Sequence, residues 1–422
     1  MIYTIQSSSI INASIALPAS KSISNRALIL HALSHSNFPV ENLSGSDDTQ
    51  VMQKALESVF LQGMPGQVRH DGQSINIGAA GTAMRFLTAY LSQCEGTRIL
   101  TGSERMKNRP VRILVEALRQ IGAEINYAEK EGFPPLQITG RKLYGGEIVL
   151  DGSVSSQYLS ALMMIAPAME NGLNISLKGN IVSRPYIEMT LHLMELFGVK
   201  TLWEDKTIRI APQTYTARPF KVENDWSAAS YWYEIMALAQ GNPEVELLGL
   251  EENSLQGDSK SAELFENLGI KTDFLPSGRV RLTRLPTNKT RSGLFQYNFV
   301  NEPDLAQTLV VTCCMLEIPF RFSGLQSLKI KETDRITALQ TELKKLGYIV
   351  KNEPDGLMEW GGERCEPEPD PVISTYEDHR MAMAFSPVCL KTGKIRMNEP
   401  EVVSKSYPGY WEDLKKVGFI VF

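Results

Sequence analysis

At 422 residues the chain is too long for one ordinary core, and 43% hydrophobic against 22% charged residues mark it as globular rather than disordered. A net charge of −5 argues against nucleic acid as a partner, because polyanion binders carry a basic excess that shows in the total. Apolar runs fall short of the ~20 residues that cross a bilayer, and the start MIYTIQSSSI has no basic segment leading into an apolar one. The expected setting is therefore the cytoplasm, away from membranes.

In chain order, the first strong element is the apolar helix pattern SISNRALILHALS. It is entered through LPASKSISNRAL, where Lys21, Ser22 and Arg26 cluster at the helix start. Hydroxyl, backbone N–H and cation can share one phosphate or carboxylate there, although a solvated helix start has the same look. In GAAGTAMRFL, small residues precede Thr82, read as the cap of a second apolar helix, so a ligand can approach the backbone closely; a plain tight turn is the alternative. RMKNRPVRIL then places Arg105, Lys107, Arg109 and Arg112 close together, with Pro110 marking a helix start. Such a run is either an anion site or a solvated face. SVSSQYLSALMM sets Ser155, Ser156 and Gln157 ahead of another apolar helix, as ligand donors or as an ordinary cap.

The second half mixes acids with bases. Asp304 opens an apolar helix in NEPDLAQTL, Glu332 stands between Lys331 and Arg335 in KETDR, EDHR carries Asp378 and Arg380, and Lys405 follows in SKSYPGYW. A carboxylate among cations stays ionised and can accept a hydroxyl proton. Exposed salt bridges are the other reading. Cys94, Cys313, Cys314, Cys365 and Cys389 are odd in number and form no CxxC, which suits buried reduced thiols. The five histidines are scattered, so neither a bound metal nor another cofactor is expected.

A weak repeat underlies these segments. ALESVFLQGM, EALRQIGAEI, HLMELFGVKT, ELFENLGIKT, TELKKLGYIV and DLKKVGFIVF each run an amphipathic helix into a glycine, and then into apolar alternation. Gly63, Gly122, Gly198, Gly269, Gly347 and Gly418 are roughly 60 to 80 residues apart, and each suits the left-handed position after a helix. One more apolar helix falls in every interval, as in DWSAASYWYEIMALA and DHRMAMAFSPVCL, with strand-like runs such as GEIVLDG and LNISLKG beside it. A helix apolar on most sides belongs in a core. The expected fold is α/β (α+β type), six helix-and-sheet repeats in two domains of three, with buried helices whose N-termini favour anions. Chance recurrence of helix–glycine–strand junctions is the alternative.

Taken in order, LPASKSISNRAL, GTAMR, RMKNRP, DGSVSSQYLSALMM, SRPYIEMT, KETDR, EDHRMAM and SKSYPGYW resemble the motifs of the 5-enolpyruvylshikimate-3-phosphate synthase family, over Leu17 to Trp411. The resemblance implies an enolpyruvyl transferase-like fold with one domain over 20–224, a second over 1–19 plus 225–422, and hinges near 19–20 and 224–225. It implies transfer of the enolpyruvyl group of phosphoenolpyruvate to the 5-hydroxyl of shikimate 3-phosphate, by addition and elimination, in a monomer whose partners are these two small molecules. Lys21, Ser22, Arg26, Ser155, Ser156, Gln157, Ser183, Asp304 and Lys331 would hold shikimate 3-phosphate. Lys21, Gly81, Arg109, Gln157, Arg335, Arg380 and Lys405 would surround phosphoenolpyruvate. Asp304, Glu332 and Lys21 would move the protons.

The chain departs from the family pattern at Ala79, where Asn is usual, at Phe86, where Pro is common, and at Ser327, often Asn. None of the three touches a proposed acid or base. Three rivals are weighed. The sister transferase acting on UDP-N-acetylglucosamine carries a reactive Cys on a mobile loop, where RMKNRP stands here. A non-catalytic anion binder would have no use for Asp304 and Glu332, and an RNA-end cyclase is disfavoured by the acidic total.

Overall fold

The computed structural model describes residues 1–7, 11–62, 72–285, 293–354 and 356–422; Gly63 lies outside them. The chain divides into two compact units, Ser20–Val222 (the first unit) and Met1–Ala19 with Glu223–Phe422 (the second). Glu223 and Asn224 side with the second unit because their hydrogen bonds lie there. Asn224 donates through its backbone to Gly249 O (2.9 Å), and Glu223 accepts from Trp226, Ser254 and Gln256.

One repeat explains both units. Two parallel strands flank a buried helix, then an amphipathic helix leads to an antiparallel pair on the same sheet. In the first unit, Gln73–Asn76 pairs in parallel with Gly96–Thr101 around helix Gly81–Leu91, and helix Arg112–Gln120 leads to Glu124–Tyr127 and Leu136–Gly140. The next repeat uses Gly146–Asp151, helix Ser156–Ile165, Leu173–Lys178, helix Arg184–Leu196, Leu202–Glu204 and Thr207–Ile210. The remaining repeat of this unit shows a two-stranded sheet among the described residues. Val40–Glu41 runs parallel to Phe220–Lys221, beside helices Lys21–Leu33 and Asp47–Gln62.

Among its described residues the second unit has three four-stranded sheets. Asn12–Ala16 pairs with Glu244–Leu248 around helix Trp226–Leu238, and helix Ser261–Glu266 leads to Ile270–Leu275 and Arg279–Arg284. Phe295–Asn298 and Phe320–Ser323 flank helix Ala306–Met315, and helix Arg335–Lys345 leads to Lys351–Glu353 and Leu357–Trp360. The last repeat uses Val372–Ile373, helix His379–Phe385, Lys394–Asn398, helix Tyr410–Lys416 and Ile420–Val421. Its remaining strand, Ile2–Gln6, comes from the chain's start.

The repeat glycines work as their position predicts. Gly122, Gly198, Gly269, Gly347 and Gly418 have φ between +85° and +105°, which a side chain would strain. At four of them the next residue's N–H reaches five residues back, as in Ala123 to Leu118 O (2.9 Å), Val199 to Met194 O (3.0 Å), Tyr348 to Leu343 O (3.0 Å) and Phe419 to Leu414 O (3.1 Å). That bond ends the helix and turns the chain into its strand. Between these junctions, helices Ala306–Met315 and His379–Phe385 are buried along their whole length. Among the cysteines, Cys94 and Cys365 are only half-buried, so the buried-thiol expectation applies to Cys313, Cys314 and Cys389. Cys94 follows a helix end between Gln93 and Glu95, and Cys365 lies between Arg364 and Glu366, so neither has apolar neighbours in sequence to bury it.

Helix Trp226–Leu238 contains one charged residue, Glu234, with no exposure at all. Burial drives its carboxyl well above the usual carboxylate range, and Thr312 offsets only part of this. A folded-state pKa above the unfolded one means the folded chain holds the proton more tightly. The contribution of this one group to stability is therefore greatest below about pH 4.3 and falls as pH rises toward the folded value. Glu234→Gln removes that loss: its melting temperature should exceed the parent's at pH about 8 by the equivalent of roughly 1–3 kcal/mol and match it near pH 4.

Candidate functional site

In the first unit, Ser20 caps helix Lys21–Leu33, its hydroxyl accepting from Ile23 N–H (3.4 Å). Lys21 and Ser22 thus occupy the first turn, and Lys21 Nζ lies 3.5 Å from Asp48. Arg26 sits one turn deeper and faces inward. It donates to Thr190 Oγ1 (2.7 Å), Ser160 Oγ (2.9 Å) and Ser22 O (3.0 Å), and packs over Phe86. Its guanidinium ties three helices of the unit together.

Helix Gly81–Leu91 starts two residues earlier than the Thr82 cap predicts, since Ala80 already accepts from Met84 N–H (3.0 Å). Thr82 is freed from capping, and its hydroxyl accepts from Gln157 Nε2 (3.2 Å). Pro110 does not open the next helix either. That helix runs Arg112–Gln120 behind Val111, whose N–H is tied to Gly132 O (2.9 Å). The Pro110 carbonyl instead accepts from Tyr158 Oη (2.7 Å) and Arg85 Nη2 (3.3 Å).

Arg109 lies against the helix start: a Cβ on Gly81 would come within 2.7 Å of its Nη1. The rest of the basic run is solvated. Lys107 pairs with Glu129 (3.0 Å), and Arg112 with Glu116 and Glu131 (both 3.7 Å). Ser155 caps Ser156–Ile165 by accepting from Gln157 N–H (3.4 Å). Three sequence segments thus meet in one place: Gly81–Thr82, Arg109–Pro110 and Ser155–Tyr158. Ser183 begins helix Arg184–Leu196 in the left-handed region (φ +53°) without capping it. A strained non-glycine residue of this kind is common where a side chain must be aimed.

In the second unit, five of the predicted residues form one ionic cluster. Arg335, 1% exposed, donates to Asp304 (2.8 Å), Glu332 (2.8 Å) and Asp378 (2.7 Å). Asp304 also meets Arg380 (3.0 Å) and Lys331 (3.4 Å). Asp378, which has no exposure, caps helix His379–Phe385 by accepting from Arg380 N–H (2.8 Å). Lys405 Nζ donates to Glu377 O (2.6 Å), a carbonyl presented by two successive left-handed residues, Tyr376 and Glu377. Burial opposes the charge on Asp304, yet Arg380, Lys331 and Arg335 outweigh it and hold the carboxyl well below its usual range. The cluster can hold an anion on its cations and a hydroxyl on Asp304.

The family model for EPSP synthase (3-phosphoshikimate 1-carboxyvinyltransferase) matches residues 5–414. A protein of that enzyme name from Bacteroides fragilis is 56% identical over 420 residues, covering 99% of this chain and 98% of that one. The chain belongs to the EPSP synthase family. A member from Vibrio cholerae is 37% identical over 431 residues, with 97% of each chain covered. The solved EPSP synthase of Acinetobacter baumannii shares the fold, with a TM-score of 0.77 at 20% identity over 100% of this chain and 99% of that one. EPSP synthases transfer the enolpyruvyl group of phosphoenolpyruvate to shikimate 3-phosphate in the shikimate pathway, and the mixed α/β repeat fold found here is theirs. Among the described residues no helix is long and apolar enough to cross a membrane.

The sequence reading missed Asp48 altogether and named Thr82 and Asp378 without their partners. Asp48 faces Lys21, Thr82 holds Gln157, and Asp378 orients Arg335. Asp378 had a signal, an acid inside EDHR at a helix start. Asp48 had none beyond a polar turn, because its partner is 27 positions away.

Proposed function

We propose that this chain carries out its family's reaction, moving the enolpyruvyl group of phosphoenolpyruvate to the 5-hydroxyl of shikimate 3-phosphate and releasing phosphate. The observation that supports it most is Asp304 held among Arg380, Arg335 and Lys331, with Glu332 on the same arginine. This puts two carboxylates beside the cations an anionic substrate needs.

In this reading, Lys21, Ser22, Ser155, Ser156, Gln157, Ser183 and Lys331 hold shikimate 3-phosphate, and Arg26 joins them by giving up its bonds to Ser160 and Thr190. Lys21, Gly81, Arg109, Gln157, Arg335, Arg380 and Lys405 receive phosphoenolpyruvate. Without ligand Asp304 is a weak base, because three cations stabilise its charge. Substrate anions compete for those cations, so binding raises its affinity for the 5-hydroxyl proton. The oxygen then adds to C2 while Glu332 delivers a proton to C3, with Lys21 sharing the transfers. In the second step C3 returns a proton and the C2–O bond to phosphate breaks. No electrons change hands, so acids, bases and cations suffice without a cofactor. The partners are two small anions, and the chain acts as a cytoplasmic monomer.

Phosphate release from phosphoenolpyruvate should require shikimate 3-phosphate and fail with UDP-N-acetylglucosamine; the reverse preference would sink the reading. Gly81→Ala tests the anion seat. The added methyl displaces Arg109, so KM for phosphoenolpyruvate should rise at least about tenfold, the worth of one charge-assisted hydrogen bond, while shikimate 3-phosphate affinity stays unchanged by calorimetry.

A further inference from the structure

Among the buried carboxyls of the second unit that these roles do not use, one lies beside the ionic cluster. Asp258 lies in the Gly257–Lys260 turn and is 3% exposed. Its Oδ2 accepts a hydrogen bond from Ser227 Oγ, while Oδ1 is shut from solvent and meets no donor among the described residues. Ser227, in the first turn of helix Trp226–Leu238, accepts in turn from Arg380 Nη2 (3.4 Å). The same Nη2 is 3.0 Å from Asp304, and Nη1 donates to Tyr231 Oη (3.3 Å). A serine hydroxyl has one hydrogen and two lone pairs. With the hydrogen committed to Asp258, only lone pairs face the guanidinium.

We infer that Asp258 is a positioning residue: through Ser227 it fixes the Arg380 guanidinium toward Asp304 and the phosphoenolpyruvate anion. The inference rests on the assignment of Arg380 made above. The protein hydrogen bond of Asp258 goes to the serine whose hydroxyl also accepts from Arg380. Keeping a second carboxyl near Asp304 is also costly unless it has a use. Asp304, Arg380 and Asp225 are the charged groups that act on it. Burial first, then Asp304 and more weakly Asp225, push it up to about 7 against the pull of Arg380 and Ser227. Below that pH Asp258 gains a proton and becomes a donor. The serine hydrogen then turns toward Arg380 and drives the guanidinium off its seat. Substrate affinity is therefore lost on the acid side.

The test is steady-state kinetics across the neutral pH range for the parent, Ser227→Ala, Asp258→Asn, the double variant and Arg380→Ala, with a thermal melt of each. Ser227→Ala and Asp258→Asn should each raise KM for phosphoenolpyruvate about tenfold, with kcat changed less than about threefold. The double variant should be no worse than either single one. The parent should show an acid-side rise in KM, and that rise should vanish in Asp258→Asn. If Asp258→Asn does not fold, Ser227→Ala decides, since it removes only a hydroxyl. Single variants with an unchanged KM, beside an Arg380→Ala that still raises it, overturn this inference alone. An Arg380→Ala with unchanged KM removes the assignment beneath it.

Discussion

Glu332→Gln and Asp304→Asn should each lower turnover by ~10²–10⁴-fold, the usual worth of an acid–base group in a transition state. Both replacements keep the shape and leave Arg335 a hydrogen-bond acceptor, so the cluster around it should survive. Shikimate 3-phosphate binding by calorimetry should stay within a few-fold of the parent, because the phosphate is held by cations that neither change removes. Single-turnover rates separate the two acids. Asp304→Asn slows loss of the hydroxyl proton, whereas Glu332→Gln slows exchange of the C3 hydrogens into deuterated water. Near-normal turnover in either variant would remove that residue from the mechanism.

Arg335→Met should destabilise the protein by about 3–5 kcal/mol, the cost of breaking a buried ion pair from one side. Arg335 is almost wholly buried and bonded to Asp304, Glu332 and Asp378, and Asp378 is itself without exposure. Those three carboxylates hold its own proton more tightly still, although burial works the other way. Without the guanidinium, Asp378 is a buried charge left with the Arg380 N–H as its remaining strong contact. Urea unfolding would show this as a lower midpoint with an unchanged slope. Arg335→Lys should recover only part of the loss, because one ammonium cannot serve three carboxylates as the planar fork does. A parent-like midpoint in Arg335→Met would show that the cluster contributes nothing to the fold.

Both expectations concern residues that stood out in KETDR and NEPDLAQTL, and much else at the site was readable too. Gly122, Gly198, Gly269, Gly347 and Gly418 stand at left-handed helix ends, as the helix–glycine–strand pattern demands. The apolar helices are buried because a helix without a polar face has nowhere else to go. These features depend on a few neighbouring residues, and a chain of L-amino acids answers such local rules the same way wherever they occur.

Other features have no local signature. Ile2–Gln6 completes a sheet with Lys394–Asn398, and Asn12–Ala16 pairs with Glu244–Leu248 rather than with any near neighbour. A strand's alternation tells which face is buried but not which partner it will meet. Arg26 and Arg109 look alike in a basic helix start, yet one is spent on Thr190 and Ser160 and the other lies against Gly81. Asp258 reads as an ordinary turn residue until Ser227 and Arg380 arrive from segments 31 and 122 positions away. The linear chain determined the repeats, the buried helices and the types of groups that do the chemistry. Packing alone decided which charges are neutralised, which are aimed and which acid is held in reserve, because electrostatic energy depends on distance through space and on burial, and neither is written in the order of residues.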